Sequence, residues 1–250
     1  MTALLTVQDV SMRFGGLLAV DHASFDVEAG RITALIGPNG AGKTTLFSII
    51  SGFQKPTSGA VRYDGDAITA EPPHLLARRG IARTFQIVQP FLGLTVRDNI
   101  AVGAHLRRAS RRDALAYAQT IGEEVGLGPL LDRPAASLTV AARKRLELAR
   151  ALATEPKLLL LDEVLAGLNP TEIRDIVPVV RALCGRGITV LMIEHVMQAV
   201  MQLSDHVFVL AQGKIIAAGR PAEIAADPRV IEAYLGHGAA ARLAAHGEPA

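Results

Sequence analysis

Apolar residues in this chain fall into short runs punctuated by glycine, proline and charge, and the runs have two rhythms. From Leu5 to Val27 the pattern predicts strands broken by glycine, and Arg31-Ile32-Thr33-Ala34-Leu35-Ile36 predicts an apolar strand. Leu158-Leu159-Leu160-Leu161 and Ile188-Thr189-Val190-Leu191-Met192-Ile193 are compact runs without alternation, as expected of parallel strands buried on both faces. Ala60 to Tyr63, between Thr57-Ser58-Gly59 and Asp64-Gly65, predicts a hairpin; Val207 to Leu210 and Lys214 to Ala217, across Ala211-Gln212-Gly213, predict another. The helical rhythm begins near Lys43, where Leu46, Ile49 and Ile50 share one face, and it dominates between about Pro90 and Thr154. Breaks there fall at Gly126, Gly128, Pro129 and Pro134, and a further helix is expected near Arg143. The pattern reads as one α/β domain over residues 1–236, with a helical lobe inserted at about 90–154. An alanine-rich, flexible tail is expected over 237–250.

Composition narrows this picture. With 250 residues, half of them hydrophobic and 20% charged, the chain can bury a sizeable core but is short for two full domains. No apolar run approaches the ~18 residues needed to span a bilayer, and Met1-Thr2-Ala3-Leu4-Leu5 lacks the pattern of a cleavable leader. A cytoplasmic location is therefore expected. Cys184 is the single cysteine, which excludes an intramolecular disulfide, and the histidines show no cluster suited to structural zinc. A net charge of +2 does not imply nucleic-acid binding. The basic run Arg107-Arg108-Ala109-Ser110-Arg111-Arg112 reads as a solvated helix end or loop, or else as a contact for phospholipid headgroups or a partner.

Chemistry concentrates where apolar strands end. Gly37-Pro38-Asn39-Gly40-Ala41-Gly42-Lys43-Thr44 fits G-x-x-x-x-G-K-[ST] between a strand and a helix. Glycines let successive backbone N–H groups point at one anion, Lys43 adds a mobile positive charge, and the helix contributes its dipole. In this reading Lys43 contacts the outer phosphates of a nucleotide and the Thr44 hydroxyl coordinates Mg²⁺. The run Leu158 to Leu161 delivers Asp162 and Glu163 at a strand end, where open α/β sheets hold their ligands. Asp162 suits Mg²⁺, through water, and Glu163 suits a general base acting on a water molecule. His195 follows another buried strand, within reach of a terminal phosphate. Gln86, in Arg83-Thr84-Phe85-Gln86, stands where sheet passes to helical lobe, and its amide suits Mg²⁺ or the attacking water.

These pieces, in this order, resemble the ATP-binding cassette (ABC) family: Gly37 to Thr45 (GPNGAGKTT), then TFQ, the segment before RKRLELARAL, LLLLDE and His195. The resemblance runs from Leu4 to about Gly236. It implies an α/β P-loop NTPase with a mixed central sheet, an antiparallel N-terminal β part and an inserted helical lobe. By the same likeness Phe14 stacks on adenine, Val20 packs nearby, and Ala166-Gly167-Leu168-Asn169 crosses a dimer interface. RTFQ, AGLNPTE, IEH and DPRVIEAYLG further resemble the ATP-binding subunit of branched-chain (hydrophobic) amino acid importers. That family implies Mg-dependent ATP hydrolysis and a second cassette, like or unlike. It also implies transmembrane permease subunits, a periplasmic substrate-binding protein and a peripheral place on the inner face of the cell membrane. A lipopolysaccharide-export cassette shares a similar YLG ending, and a soluble ABC ATPase or a nucleotide-gated binding module are further alternatives. No Asn-Lys-x-Asp guanine-reading sequence occurs.

Two departures from the family stand out. The signature segment, usually close to LSGGQ, reads Leu138-Thr139-Val140-Ala141-Ala142. In the family it acts on the partner's ATP, and Ala141 replaces a glycine that lets backbone approach phosphate. Val164 stands where a proline commonly follows the glutamate. Pro90-Phe91-Leu92-Gly93-Leu94 is an apolar stretch that either packs inside the lobe or offers a permease a docking patch.

Overall fold

The computed structural model describes residues 3–86 and 89–235; the expected tail at 237–250 lies outside the described residues. Strands β1 (Ala3–Phe14) and β2 (Leu17–Glu28) form a hairpin, followed by β3 (Ile32–Ile36) and α1 (Lys43–Ile50). Next, β4 (Ser58–Tyr63) and β5 (Asp66–Ala67) turn through Asp64 and Gly65, at φ 51° and 85°. Positive φ at both turn residues suits the twist of a tight hairpin. Then come α2 (Pro73–Arg79), β6 (Ile81–Arg83), α3 (Val96–Ala104), α4 (Arg111–Glu124) and α5 (Val140–Leu152). The remainder alternates: β7 (Leu158–Asp162), α6 (Pro170–Gly185), β8 (Thr189–Ile193), α7 (Met197–Leu203), then the hairpin β9 (His206–Ala211) and β10 (Lys214–Gly219). Two short helices, α8 (Pro221–Ala225) and α9 (Pro228–Leu235), close the described chain.

The strands build an antiparallel sheet in the order β2-β1-β4-β5 and a mixed sheet in the order β10-β9-β3-β8-β7-β6. In the second sheet only the β9–β10 pair is antiparallel. Every residue of β3, β7 and β8 is buried, because both faces of this sheet are covered. Alternation along each strand divides the core: Leu35, Leu158, Leu160 and Leu191 pack with Leu5, Leu46 and Phe47, while Ala34, Ile36, Leu159 and Leu161 face the helices. In register, Leu35 and Asp162 both lie opposite Ile193, so β3, β7 and β8 end at one edge of the sheet. That shared edge is where the site forms.

Helix α5 begins at Val140, three residues before the expected start near Arg143. Thr139 is its N-cap, with the hydroxyl accepting the Ala142 N–H at 3.3 Å. Asn169 caps α6, bonding the Thr171 and Glu172 N–H groups at 3.0 Å, and Glu172 returns the bond in a capping box. Val164 is buried in the core. In the basic run, Arg107 donates to the Arg78 carbonyl, Arg108 pairs with Glu155 and Arg111 with Asp98. These partners belong to the chain itself.

Candidate active site

The loop between β3 and α1 takes its shape from glycines that cannot carry a side chain. Gly37 has φ 150°, and a Cβ there would lie 1.9 Å from the Leu210 carbonyl oxygen of β9. Gly42, at φ 106°, would place one 2.3 Å from the Ala19 carbonyl oxygen. Gly40 also has positive φ but faces open space. The loop is closed by the Ala41 N–H donating to the Pro38 carbonyl at 3.2 Å. Lys43 folds back over it, its ammonium donating to the Gly37 and Pro38 carbonyls at 2.7 and 3.0 Å. Burial lowers the Lys43 pKa, and the nearby Glu163 and Asp162 oppose that shift. α1 has neither a capping side chain nor an acid in its first turn. Its leading N–H groups and the positive end of its dipole are left for an anion.

Around the loop, Asn39 and Thr44 are exposed and Thr45 is half-buried. Phe14, at the end of β1, offers a ring 43% exposed. Val20 has no exposed surface; its Cγ2 would lie 3.4 Å from a Cβ at Gly42, so it supports the loop from behind.

Across the cleft, Asp162 ends β7. Its carboxylate accepts from the Arg83 guanidinium at 2.8 Å, with both side chains nearly buried. Arg83 also donates to the Ser48 and Ser51 hydroxyls, and its guanidinium stands 5.2 Å from the Phe85 ring centre. Glu163, the next residue, has φ 51°, a left-handed conformation unusual for a residue with a side chain. This turn aims its carboxylate out of the strand. Oε2 accepts from Gln86 Nε2 at 2.7 Å, and Oε1 meets His195 Nε2 at 2.5 Å. The Glu163 carbonyl accepts from the Lys144 ammonium at 2.9 Å. Thus three residues singled out from separate parts of the sequence meet directly. Thr44, Gln86 and Asp162 line one cleft of about 590 Å³. Thr139, Val140 and Ala141 lie instead at the tip of α5, with Val140 60% exposed, and do not line that cleft.

The structure adds residues that the motifs did not single out. Arg83 sits in a three-residue edge strand too short to show a period. Lys144 and Glu147, charged residues within the RKRLELARAL run, are both buried. Glu194 is 1% exposed; its carboxylate accepts the Leu165 N–H at 2.9 Å, and burial pushes its pKa up to about 7. Its place beside His195 is the one sequence signal it carried.

This arrangement can be set beside known proteins. The ABC transporter family model matches residues 20–166, well over half of the chain. The chain belongs to the ABC transporter family. A second model, for the branched-chain amino acid ATP-binding cassette transporter, matches residues 214–240. The chain is 43% identical to the high-affinity branched-chain amino acid transport ATP-binding protein BraF of Pseudomonas aeruginosa, over 93% of this chain and 98% of that protein. It is 40% identical to LivG of Escherichia coli K12, over the same shares. A crystal structure of a nucleotide-free ATP-binding cassette from an ABC transporter superposes with TM-score 0.85 at 36% identity, covering 94% of this chain and all of that one. An ADP conformation of such a cassette agrees equally well, at TM-score 0.85 and 36% identity over 95% of this chain. The family and the fold make the chain a P-loop ATPase, with the mixed sheet and antiparallel N-terminal part that the family resemblance implied.

Proposed function

We propose that the chain is the motor subunit of a branched-chain amino acid importer, binding ATP at Gly37 to Thr45 and hydrolysing it with Glu163 as general base. The observation that carries this reading is the Glu163 carboxylate held between Gln86 and His195, opposite Lys43 and the free N–H groups of α1. Phe14 stacks on adenine, with Val20 supporting the loop behind it. The N–H groups of Gly40 to Thr45 and the Lys43 ammonium hold the outer phosphates. Glu163 takes a proton from water as its oxygen attacks the terminal phosphorus and the bridging bond to ADP breaks. His195 and Gln86 fix the carboxylate and meet the terminal phosphate and the water. Thr44, Gln86 and Asp162 present oxygen donors to one cleft, a set that fits Mg²⁺. When bound, the ion supplies charge neutralisation of the phosphate oxygens. Glu163→Gln should lower phosphate release by at least about 100-fold while ATP binding persists; undiminished release would overturn the base assignment.

The amino acid class is supported by the names of the relatives and by the family model over 214–240. In this reading residues 1–236 form one cassette, with the helices between 90 and 154 as an inserted lobe. The cassette pairs with a second one, Thr139 to Ala141 facing the partner's nucleotide. The pair lies on the inner face of the membrane beneath two permease subunits, with a periplasmic binding protein delivering substrate. The chain's own contribution to docking is a groove of about 290 Å³ lined by Phe53, Leu76, Phe85 and Val102. Phe91, Leu92 and Leu94 are exposed, as a docking patch requires, and Phe91 lines the adjoining cleft. No helix among the described residues is long and apolar enough to cross a membrane, so the permeases supply the crossing. Purification from detergent-solubilised membranes should recover two membrane proteins with the chain; recovery of the chain alone would favour a non-transport ATPase.

A further inference from the structure

Three charged side chains, each three residues after the last, run along α5 and reach away from its tip toward the chain's own site. The Lys144 ammonium donates to the Glu163 carbonyl at 2.9 Å. One turn on, Glu147 Oε1 accepts the backbone N–H of Phe85, the residue before Gln86. A further turn on, Arg150 donates to the Gln89 carbonyl at 3.0 Å and stands 4.8 Å from the Phe91 ring centre. Positions three apart are neighbours on a helix surface. One rigid element therefore grips the Gln86 segment at Phe85 and at Gln89, and grips Glu163 by its backbone.

These groups sit where burial is costly. Lys144 and Glu147 are 7% and 8% exposed, and Glu147 Oε2 has no hydrogen-bond partner among the described residues. Burial raises the Glu147 pKa and lowers that of Arg150, against their mutual attraction. Apolar residues of similar volume often replace such buried charges without loss of stability. Stability alone therefore gives little reason for these three charges. Glu163 also holds a left-handed backbone angle of 51°, so the direction of its carboxylate depends on what pins the turn.

We propose that Lys144, Glu147 and Arg150 are positioning residues for hydrolysis: through them α5, whose tip is Thr139 to Ala141, sets the placement of Gln86 and Glu163 in its own subunit. The proposal rests on Glu163 being the base. A shift of α5 when its tip meets a partner's nucleotide then moves the base and the glutamine together, linking one ATP site to the other.

The test uses the chain purified together with its membrane partners. Glu147→Leu should lower kcat by about tenfold, as small misplacements of reacting groups do, with the affinity for a fluorescent ATP analogue unchanged. Glu147→Gln keeps an acceptor for the Phe85 N–H and should restore most of the rate. In a Gln86→Ala background, Glu147→Leu should have little further effect, because residues acting through one another are not additive. Lys144→Met, with Lys144→Arg as its rescue, gives a second route if Glu147→Leu fails to fold. Equal losses from Glu147→Leu in both backgrounds, or equal losses of affinity and rate, would overturn the proposal. So would wild-type rates in Glu147→Leu and Lys144→Met while Glu163→Gln is inactive. Turnover surviving in Glu163→Gln sinks the base assignment itself, a distinct outcome.

Discussion

Glu194 shows how much a single side chain can cost beside the base. Its carboxyl is driven from an ordinary value of 4.5 to about 7, with burial the largest cause and the Leu165 and His195 N–H groups opposing it. Between those two values the folded chain binds a proton that the unfolded chain has released. Stability from this group is therefore greatest at low pH and falls as pH rises through 7, by an amount of order 3 kcal/mol. Glu194→Gln keeps an acceptor for the Leu165 N–H and cannot ionise. Urea unfolding should find the variant more stable than the wild type at pH 8 and nearly equal at pH 4; parallel pH profiles would contradict the assignment. Arg83 matters through its buried partner. Arg83→Met leaves the Asp162 carboxylate buried without its cation, and the loss should be about 3–5 kcal/mol, read as a lowered unfolding midpoint. At this scale the sequence exposes Lys43, Asp162 and Glu163, because each motif reports a covalent neighbourhood. It conceals Arg83, Lys144, Glu147 and Glu194, because their roles depend on partners 79, 19, 62 and 29 residues away.

The elements differ in how legible they are for reasons that can be named. β3, β7 and β8 are readable because burial on both faces leaves them wholly or nearly apolar. The two hairpin turns are readable because Asp64-Gly65 and Gln212-Gly213 supply the positive φ values that tight turns need. The start of α5 is obscured because its cap, Thr139, is followed by the β-branched Val140, a residue that lowers helix propensity. α6 carries a start signal in Asn169, Pro170 and Glu172, which a reading of Ala166–Asn169 as an interface loop passes over. The glycine loop permits a sharper test than motif matching allows. Gly40→Ala meets open space and should cost only about 1–2 kcal/mol for its left-handed backbone, with nucleotide binding retained. Gly37→Ala meets the Leu210 carbonyl at 1.9 Å, so β9 must move away from β3. A lowered melting temperature and lost ATP binding should follow. Equal behaviour of the two variants would show that the loop tolerates a side chain at both positions.

For the whole molecule, the proposed pairing sets the tip of α5 against a partner's nucleotide, and what that tip offers bears on the kind of pair the cassette would form. The Thr139 hydroxyl accepts the Ala142 N–H, and the Thr139 carbonyl accepts that of Arg143 at 2.9 Å. In the first turn this leaves the N–H groups of Val140 and Ala141 for a partner's phosphate, beneath an exposed valine and a half-buried alanine methyl. Side chains here hold an anion farther from the backbone than glycine would. The chain's own half-site, by contrast, has its lysine, acids, glutamine and histidine assembled. A pair of two such chains would weaken both nucleotide sites alike. A pair with an unlike cassette bearing a glycine-rich signature would hydrolyse quickly at this chain's Glu163 and slowly at the partner's base. Ala141→Gly separates the cases: it should raise turnover at the partner's nucleotide several-fold, at a helix cost of up to about 1 kcal/mol, with a smaller change at Glu163, which feels the tip only through α5. Single-turnover phosphate release, with one base at a time changed to glutamine, reads each site alone. Equal rates at the two sites, before and after the substitution, would show that the methyl does not hold the partner's phosphate away.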